Sequence, residues 1–313
     1  MQQLNYVLKR ILQMIPVLFI VTIITFFSIR LIPGNPAVTA LGDKATPQAI
    51  MAMEKKLGLD KPVYVQYGIY LKGLFQGDLG TSIRMNRPVT ELFRERAVVT
   101  ITYTIIATLF SLLISLPLGY VAGMTKKNSV SKTISSVALV LLSLPGFWFA
   151  ILLLLIFGLT LHVFPVGGWG TTWPMHIYSM ILPAFTGAIG TIALLTRNIQ
   201  SGVKNILRKD YINFAKSKGA RKSVIKSRYV LKNVMISTTT LLSIQIAGML
   251  GGSVVIESVF ALPGLGSLLI NGVLGRDYPV VQGTVLLFAL VVMIVNLITD
   301  ICYALLDPRV RLQ

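Results

Sequence analysis

Apolar residues along this chain gather into six long runs, roughly Ile11–Ile29, Val98–Met124, Ile134–Leu161, Ile177–Thr196, Val234–Ile256 and Val280–Leu306. About 20 apolar residues in a helix cross the hydrocarbon core of a bilayer, so each run predicts a transmembrane helix. The third carries Pro145-Gly146, which predicts a kink. Gly119/Gly123 and Gly248/Gly252 are four apart, a spacing that predicts close helix packing. The first run follows Lys9-Arg10 and exceeds the length of a secretory h-region, so an uncleaved signal-anchor helix is expected.

The stretches between the runs are patterned too. In 31–97, Thr46-Pro47 reads as N-cap and first helical residue and Gly58 as the stop, with Ile50, Met53 and Leu57 on one face. A second amphipathic pattern follows through Val63, Tyr67, Tyr70, Leu71 and Leu74 and ends at Gly77. These predict a small folded cap, either a lid over the first helix or a docking surface. Trp169 and Trp173 suit an interfacial aromatic belt. A short helix is expected from Lys209 toward Lys222, with Tyr211, Phe214 and Ala215 on or near one face and Gly219 breaking or capping it. A second helix resumes near Ser223 and leads into the fifth span.

Composition agrees: 54% of the 313 residues are hydrophobic and 13% are charged, which points to a polytopic all-α membrane protein. The net charge of +18 lies between apolar runs, not on a soluble basic domain, which argues against nucleic-acid binding. Residues 197–232 alone hold eleven Lys/Arg and one acid, whereas 162–176 hold no charge. The positive-inside rule then sets 197–232 and both termini in the cytoplasm and the structured loop 31–97 outside. The single cysteine, Cys302, excludes an intrachain disulfide and a cysteine metal cluster. No GxxxxGK[ST], HExxH or GxSxG motif occurs. His162 and His176 read as interfacial polar residues, and Asp300 is the one clear acid within a span, too few for a proton relay. Uphill transport by such a chain needs energy from a partner.

Anionic lipid explains the charge of 197–232. It does not explain aromatic residues beside a glycine break, which suit a groove on another protein. The string DYINFAKSKGA…YVLKN resembles the cytoplasmic coupling motif of binding-protein-dependent ABC importer permeases, in the form of the dipeptide, oligopeptide and nickel branch. That branch reads D-Y-x-x-x-A-[RK]-A-K-G with a late L-[RK]-N; Ser217 stands where Ala is usual. LIPGNPA (31–37, with Asn35 for the usual Asp), LGLDKPVYVQY (57–67), GDLGTS (77–82), RPV (87–89), ESVFALPGLGSLL (257–269), RDYPVVQG (276–283) and DPRVR (307–311) are similar to the same branch, in order.

The resemblance implies an importer permease of the bacterial cytoplasmic membrane, partnered by a second homologous permease, two ABC ATPase subunits and an extracytoplasmic substrate-binding protein. It implies no cofactor on this chain, with ATP and Mg on the ATPases. Coupling falls to Asp210, Tyr211, Phe214, Ala215, Lys218, Gly219 and Ala220. Glu257 ends the fifth span, and Pro263, Gly264 and Gly266 open either a partly re-entrant helix serving as outer gate or receptor seat, or a tight loop. Thr104, Ser111, Ser143 and Gln245 are candidates for the substrate path, or for bonds to a neighbouring helix. The expected segments are 1–30, the loop region 31–97, the transport core 98–306 with coupling segment 197–233, and the tail 307–313. The function implied is import of dipeptides or oligopeptides by alternating access. The alternatives are a nickel or metal-chelate importer and a membrane scaffold that moves nothing.

Overall fold

The structure, a computed structural model, describes residues 2–31, 33–42 and 45–306; the expected tail 307–313, with its DPRVR string, lies outside them. The described residues form helices, with an isolated bridge between Thr81 and Pro88. In chain order these are α1 (Gln2–Leu31), α2 (Pro36–Leu41), α3 (Pro47–Leu57), α4 (Val63–Phe75), α5 (Val89–Met124), α6 (Asn128–Ser143), α7 (Gly146–Leu153), α8 (Trp173–Leu207), α9 (Asp210–Ser217), α10 (Lys222–Val224), α11 (Lys232–Val259), α12 (Leu265–Leu274) and α13 (Tyr278–Leu306). A π-helical turn, Leu154–Thr160, continues α7, and another, Ile225–Leu231, joins α10 to α11.

Five segments are long and apolar enough to cross a membrane: Leu8–Leu31, Val89–Met124, Trp173–Leu207, Lys222–Met249 and Tyr278–Ile301. The third apolar run behaves differently. Its two halves, Asn128–Ser143 and Gly146–Thr160, meet at 98°, so the expected kink is a full break. Leu144 (ψ 133°) and Pro145 (ψ 129°) are both extended. A residue before proline is pushed out of the α region, and here the chain does not recover until Gly146. Among the described residues the spans therefore number five, or six with the bent pair taken as one. Three helices outrun their apolar runs: α1 starts at Gln2 and not Ile11, α5 starts at Val89 and not Val98, and α8 runs from Trp173 to Leu207. Hydropathy marks the apolar stretch, while backbone hydrogen bonding carries a helix on through polar turns.

The chain divides into two compact units, one of Met1–Tyr6, Ile101–Leu262 and Ile294–Gln313, the other of Val7–Thr100 and Pro263–Met293. These cut across the segments expected from sequence. Asp277 gives one reason. Its buried carboxylate accepts Ser82 Oγ at 2.5 Å and the backbone N–H of Ile83 and Arg84 at 3.1 and 3.2 Å. That ties GDLGTS to RDYPVVQG, nearly two hundred residues apart. The cap helices α3 and α4 form as expected. Thr46 Oγ1 accepts Ala49 N–H at 3.3 Å, and Gly58 closes α3 at φ +69°. Asn35 caps α2 through Ala37 N–H at 2.9 Å and donates to Glu54 Oε1 at 2.5 Å. The usual Asp could make the cap bond but would set a carboxylate against Glu54. Tyr67 and Tyr70 of α4 pack on Phe26 of α1, with ring centres 5.0 and 5.7 Å away.

In the other unit α8 is the central helix, the most buried of the spans. Gly119 and Gly123 of α5 lie against it. A Cβ at Gly119 would meet Ile199 Cβ at 2.7 Å, and one at Gly123 would meet Val203 Cβ at 2.5 Å. Gly248 does not pack this way, since a Cβ there meets nothing within 4 Å. The surroundings of Gly252 lie outside the described residues.

Candidate functional site

After α8 the chain turns at Arg208-Lys209, whose N–H groups bond Asn205 and Ile206 carbonyls, and α9 begins at Asp210. An acid in the first turn complements the helix dipole. Eight residues are too few for a stable isolated helix, so α9 depends on what it packs against. Ile212 and Ala215 point inward and are buried. Ile212 joins a cluster with Leu195, Ile199, Val203, Ile225, Val230 and Val234, against which Ala220 and Tyr229 also pack. Burying the Ile212 side chain contributes about 1.5–3 kcal/mol.

The end of α9 accounts for the glycine. Gly219 N–H donates to Lys216 O at 2.9 Å and Ala220 N–H to Ala215 O at 3.0 Å. These are the two backward bonds of a Schellman cap, which needs its C′ residue in the left-handed region. Gly219 is there, at φ +77°, and a Cβ at that position would meet nothing within 4 Å. Its requirement is thus backbone conformation, not space.

Tyr211, Phe214 and Lys218, at i, i+3 and i+7, occupy the adjoining arc, which is exposed. Phe214 is 62% exposed and Tyr211 42% exposed. Lys218 Nζ lies 4.6 Å from the Phe214 ring centre, and Tyr211 lies 6.4 Å from Tyr229. Of the three residues that sequence puts on or near one face, Tyr211 and Phe214 are exposed and Ala215 is buried. Behind the segment, a polar group binds α6 to α8. Gln200 Nε2 donates to Ser131 Oγ at 2.8 Å, Lys204 Nζ to the same oxygen at 2.7 Å, and Ser135 Oγ to Gln200 Oε1 at 2.6 Å. Nothing in the spacing of these residues marked them, because the pairs are 65 to 73 positions apart.

A cavity of about 440 Å³ opens among α5, α6, α7, α8 and α11, of a size with small-ligand pockets. Tyr103, Thr186, Thr191 and Gln245 are its polar lining, and Gly187, Gly190 and Gly248 leave room. Thr191 Oγ1 donates to Gln245 Oε1 at 3.4 Å. No charged side chain lines it among the described residues. Of the four path candidates, Gln245 is on this wall. Thr104 is buried, and Ser111 and Ser143 back-bond to Ala107 O at 2.8 Å and Leu139 O at 2.9 Å in their own helices. Sequence reasoning missed Tyr103, Thr186 and Thr191; the small residues Thr186, Gly187, Ala188 and Gly190 were a usable signal.

Glu257, near the end of α11, is completely buried and within electrostatic reach of Tyr103. It is therefore an interior acid, which sequence had granted only to Asp300. The chain leaves α11 through Leu262 N–H to Glu257 O at 2.8 Å and Gly168 N–H to Phe260 O at 3.0 Å. In the other unit, Pro263 is half-buried and Gly264 and Gly266 are buried. Gly264 starts α12, a ten-residue helix where a tight loop was the alternative, and Leu265 N–H donates to Thr100 Oγ1 at 2.9 Å.

Two family descriptions match almost end to end: the binding-protein-dependent transport system inner membrane component over residues 115–312, and the N-terminal part of such membrane components over 3–116. A putative peptide transport system permease protein of Brucella abortus is 39% identical over 308 residues, covering 97% of this chain and 98% of its own. The dipeptide transport system permease protein DppB of Alkalihalophilus pseudofirmus is 38% identical, covering 98% and 99%. The glutathione transport system permease protein GsiC of Salmonella choleraesuis is 36% identical, with the same coverage. Among solved structures, an inward-facing form of the MetNI methionine ABC transporter shares the fold, with a TM-score of 0.58 at 16% identity over 70% of this chain and 97% of that one. Through both family descriptions and these relatives, the chain belongs to the inner membrane components of binding-protein-dependent transport systems, as a multi-pass permease of the bacterial inner membrane.

Proposed function

We propose that this chain is the permease subunit of an ABC importer that brings dipeptides or oligopeptides inward, driven by partner ATPases that engage the face Tyr211–Phe214–Lys218. The names of the relatives support the substrate class, and the glutathione permeases widen it to short peptides with unusual linkages. The observation that carries the coupling reading is the two-sidedness of α9. One face is locked into the α8–α11 core, while the other offers an exposed aromatic pair and a lysine. A partner that grips the free face moves the locked one, and with it α8 and α11, which also wall the cavity. Asp210 and the Gly219-Ala220 cap keep the helix short and stiff enough for that task.

In this reading ATP and Mg are bound on the ATPase partners, a substrate-binding protein delivers the peptide, and a second permease completes the path. Gln245, with Tyr103, Thr186 and Thr191, lines this chain's share of the path; Thr104, Ser111 and Ser143 support it from the adjoining turns. A cavity with neutral hydrogen-bonding groups and no fixed charge accepts a peptide backbone without selecting its side chains. Glu257, Pro263, Gly264 and Gly266 serve the outer gate or receptor seat.

The test is Phe214→Ala in the complex reconstituted with its ATPases, binding protein and second permease. An exposed ring contributes little to the fold, so the variant inserts and assembles with wild-type thermal stability. Peptide-stimulated ATP hydrolysis and uptake fall together by tenfold or more, the loss expected of one aromatic anchor worth about 1.4–2 kcal/mol at an interface. Wild-type uptake by Phe214→Ala with Tyr211→Ala would end the proposal.

A further inference from the structure

The second compact unit holds a separate cavity, of about 400 Å³, that the transport reading does not use. Arg30 lies in its wall with Lys55, Lys56 and Lys61, and Asp78 is the one acid there among the described residues. Asp78 is itself engaged, accepting Gly80 N–H at 2.8 Å. Among the described residues the Arg30 guanidinium, half-buried, bonds only neutral acceptors: Gln66 Oε1 at 3.0 and 3.3 Å and Phe26 O at 2.9 Å. Its carbon lies 3.4 Å from the Phe26 ring centre and 5.1 Å from that of Tyr278. A guanidinium taken from water without a counter-ion is costly, and it keeps N–H donors to spare.

Two more lining side chains end in enclosed donors with no partner among the described residues. They are Tyr70 Oη and Gln282 Nε2, and Gln282 is 4% exposed. Burial, with Tyr67 adding, pushes the Tyr70 phenol up to about 12, so it remains a donor. Cations, an unspent phenol and an unspent amide all ask for the same thing, an anion with several acceptor oxygens.

The depth of the cavity favours one source. Leu8–Leu31 is 24 residues, about 36 Å of helix against a hydrocarbon core of about 30 Å. Arg30 stands one residue from its end, at the level of phospholipid headgroups. Tyr278 opens α13, and its span, at the same cavity, as an interfacial aromatic does. We propose that this cavity binds the phosphate of an anionic phospholipid, with Arg30 beneath it and Lys55, Lys56 and Lys61 at the rim, making a structural lipid site in the cap.

Native mass spectrometry of the purified transporter complex tests this, after incubation with phosphatidylglycerol, phosphatidylcholine or inorganic phosphate. Phosphatidylglycerol is expected to remain bound, phosphatidylcholine to be lost, and free phosphate neither to bind nor to displace the lipid. The exposed pair Lys55→Gln/Lys56→Gln, which leaves the fold alone, is expected to weaken retention by roughly 30-fold, from about fivefold per basic residue at a lipid surface. Arg30→Gln should abolish it; if that variant fails to fold, the lysine pair decides alone. Equal retention of both lipids, or wild-type retention by the lysine pair, overturns the proposal. So does free phosphate binding as well as the lipid.

Discussion

Gly219 is where the structure makes the sharpest demand on the sequence. At φ +77° an L-residue other than glycine meets its own carbonyl, at a cost of about 1–2 kcal/mol. Nothing else stands near, so Gly219→Ala should cost that and no more. Asn tolerates the left-handed region better, and Gly219→Asn should fall nearer to wild type. Gly219→Pro is of another kind. Its ring fixes φ near −65° and removes the N–H that bonds Lys216 O, so the Schellman cap cannot form. The cap holds α9 on the Ile212 cluster, and a loss of 1–2 kcal/mol raises the population of the undocked segment by about 5- to 30-fold. Coupling should therefore decline in the order Gly, Asn, Ala, Pro, with Pro abolishing transport while the chain still inserts. The assay is peptide-stimulated ATP hydrolysis alongside uptake in proteoliposomes, normalised to inserted permease. Normal uptake by Gly219→Pro would refute the reasoning, and so would Ala and Asn variants as inactive as Pro. The latter result would mean that a partner's surface, not the φ angle, demands glycine.

Other consequences follow from the packing. Ala215→Glu puts a carboxylate at a buried position of α9 and not onto its exposed face. It should stop transport by unseating α9, seen as increased protease cleavage between residues 208 and 222, which Phe214→Ala does not produce. Gly123→Leu drives a side chain into Val203 and should lower stability by about 1–3 kcal/mol or more, read as a lower thermal midpoint in detergent. Asp277→Ala strands Ser82 Oγ and two backbone N–H groups, and by about 1–3 kcal/mol per orphaned donor it should loosen the cap. Hydrogen exchange at residues 82–84 would report it, with α8 unchanged.

The apolar runs alone determined that this is a helical, multi-pass membrane chain, because a bilayer admits few other solutions for twenty apolar residues in a row. Local signals were equally legible: Thr46 and Gly58 as the ends of α3, Gly219 as the end of a short helix, and Gly119/Gly123 as a packing seam. Each is a rule about neighbours within a few residues. What sequence could not decide was long-range. Pro263–Met293 belongs to the same compact unit as the cap, the bond from Asp277 to Ser82 lies within that unit, and periodicity carries no record of either. Gly248 shares its spacing with Gly119/Gly123 yet opens on a cavity, because spacing says that residues share a helix face but not what that face meets. The burial of Ala215 was hidden for the same reason: an eight-residue helix has too little pattern to announce its buried side, and only the packing of α9 settles it.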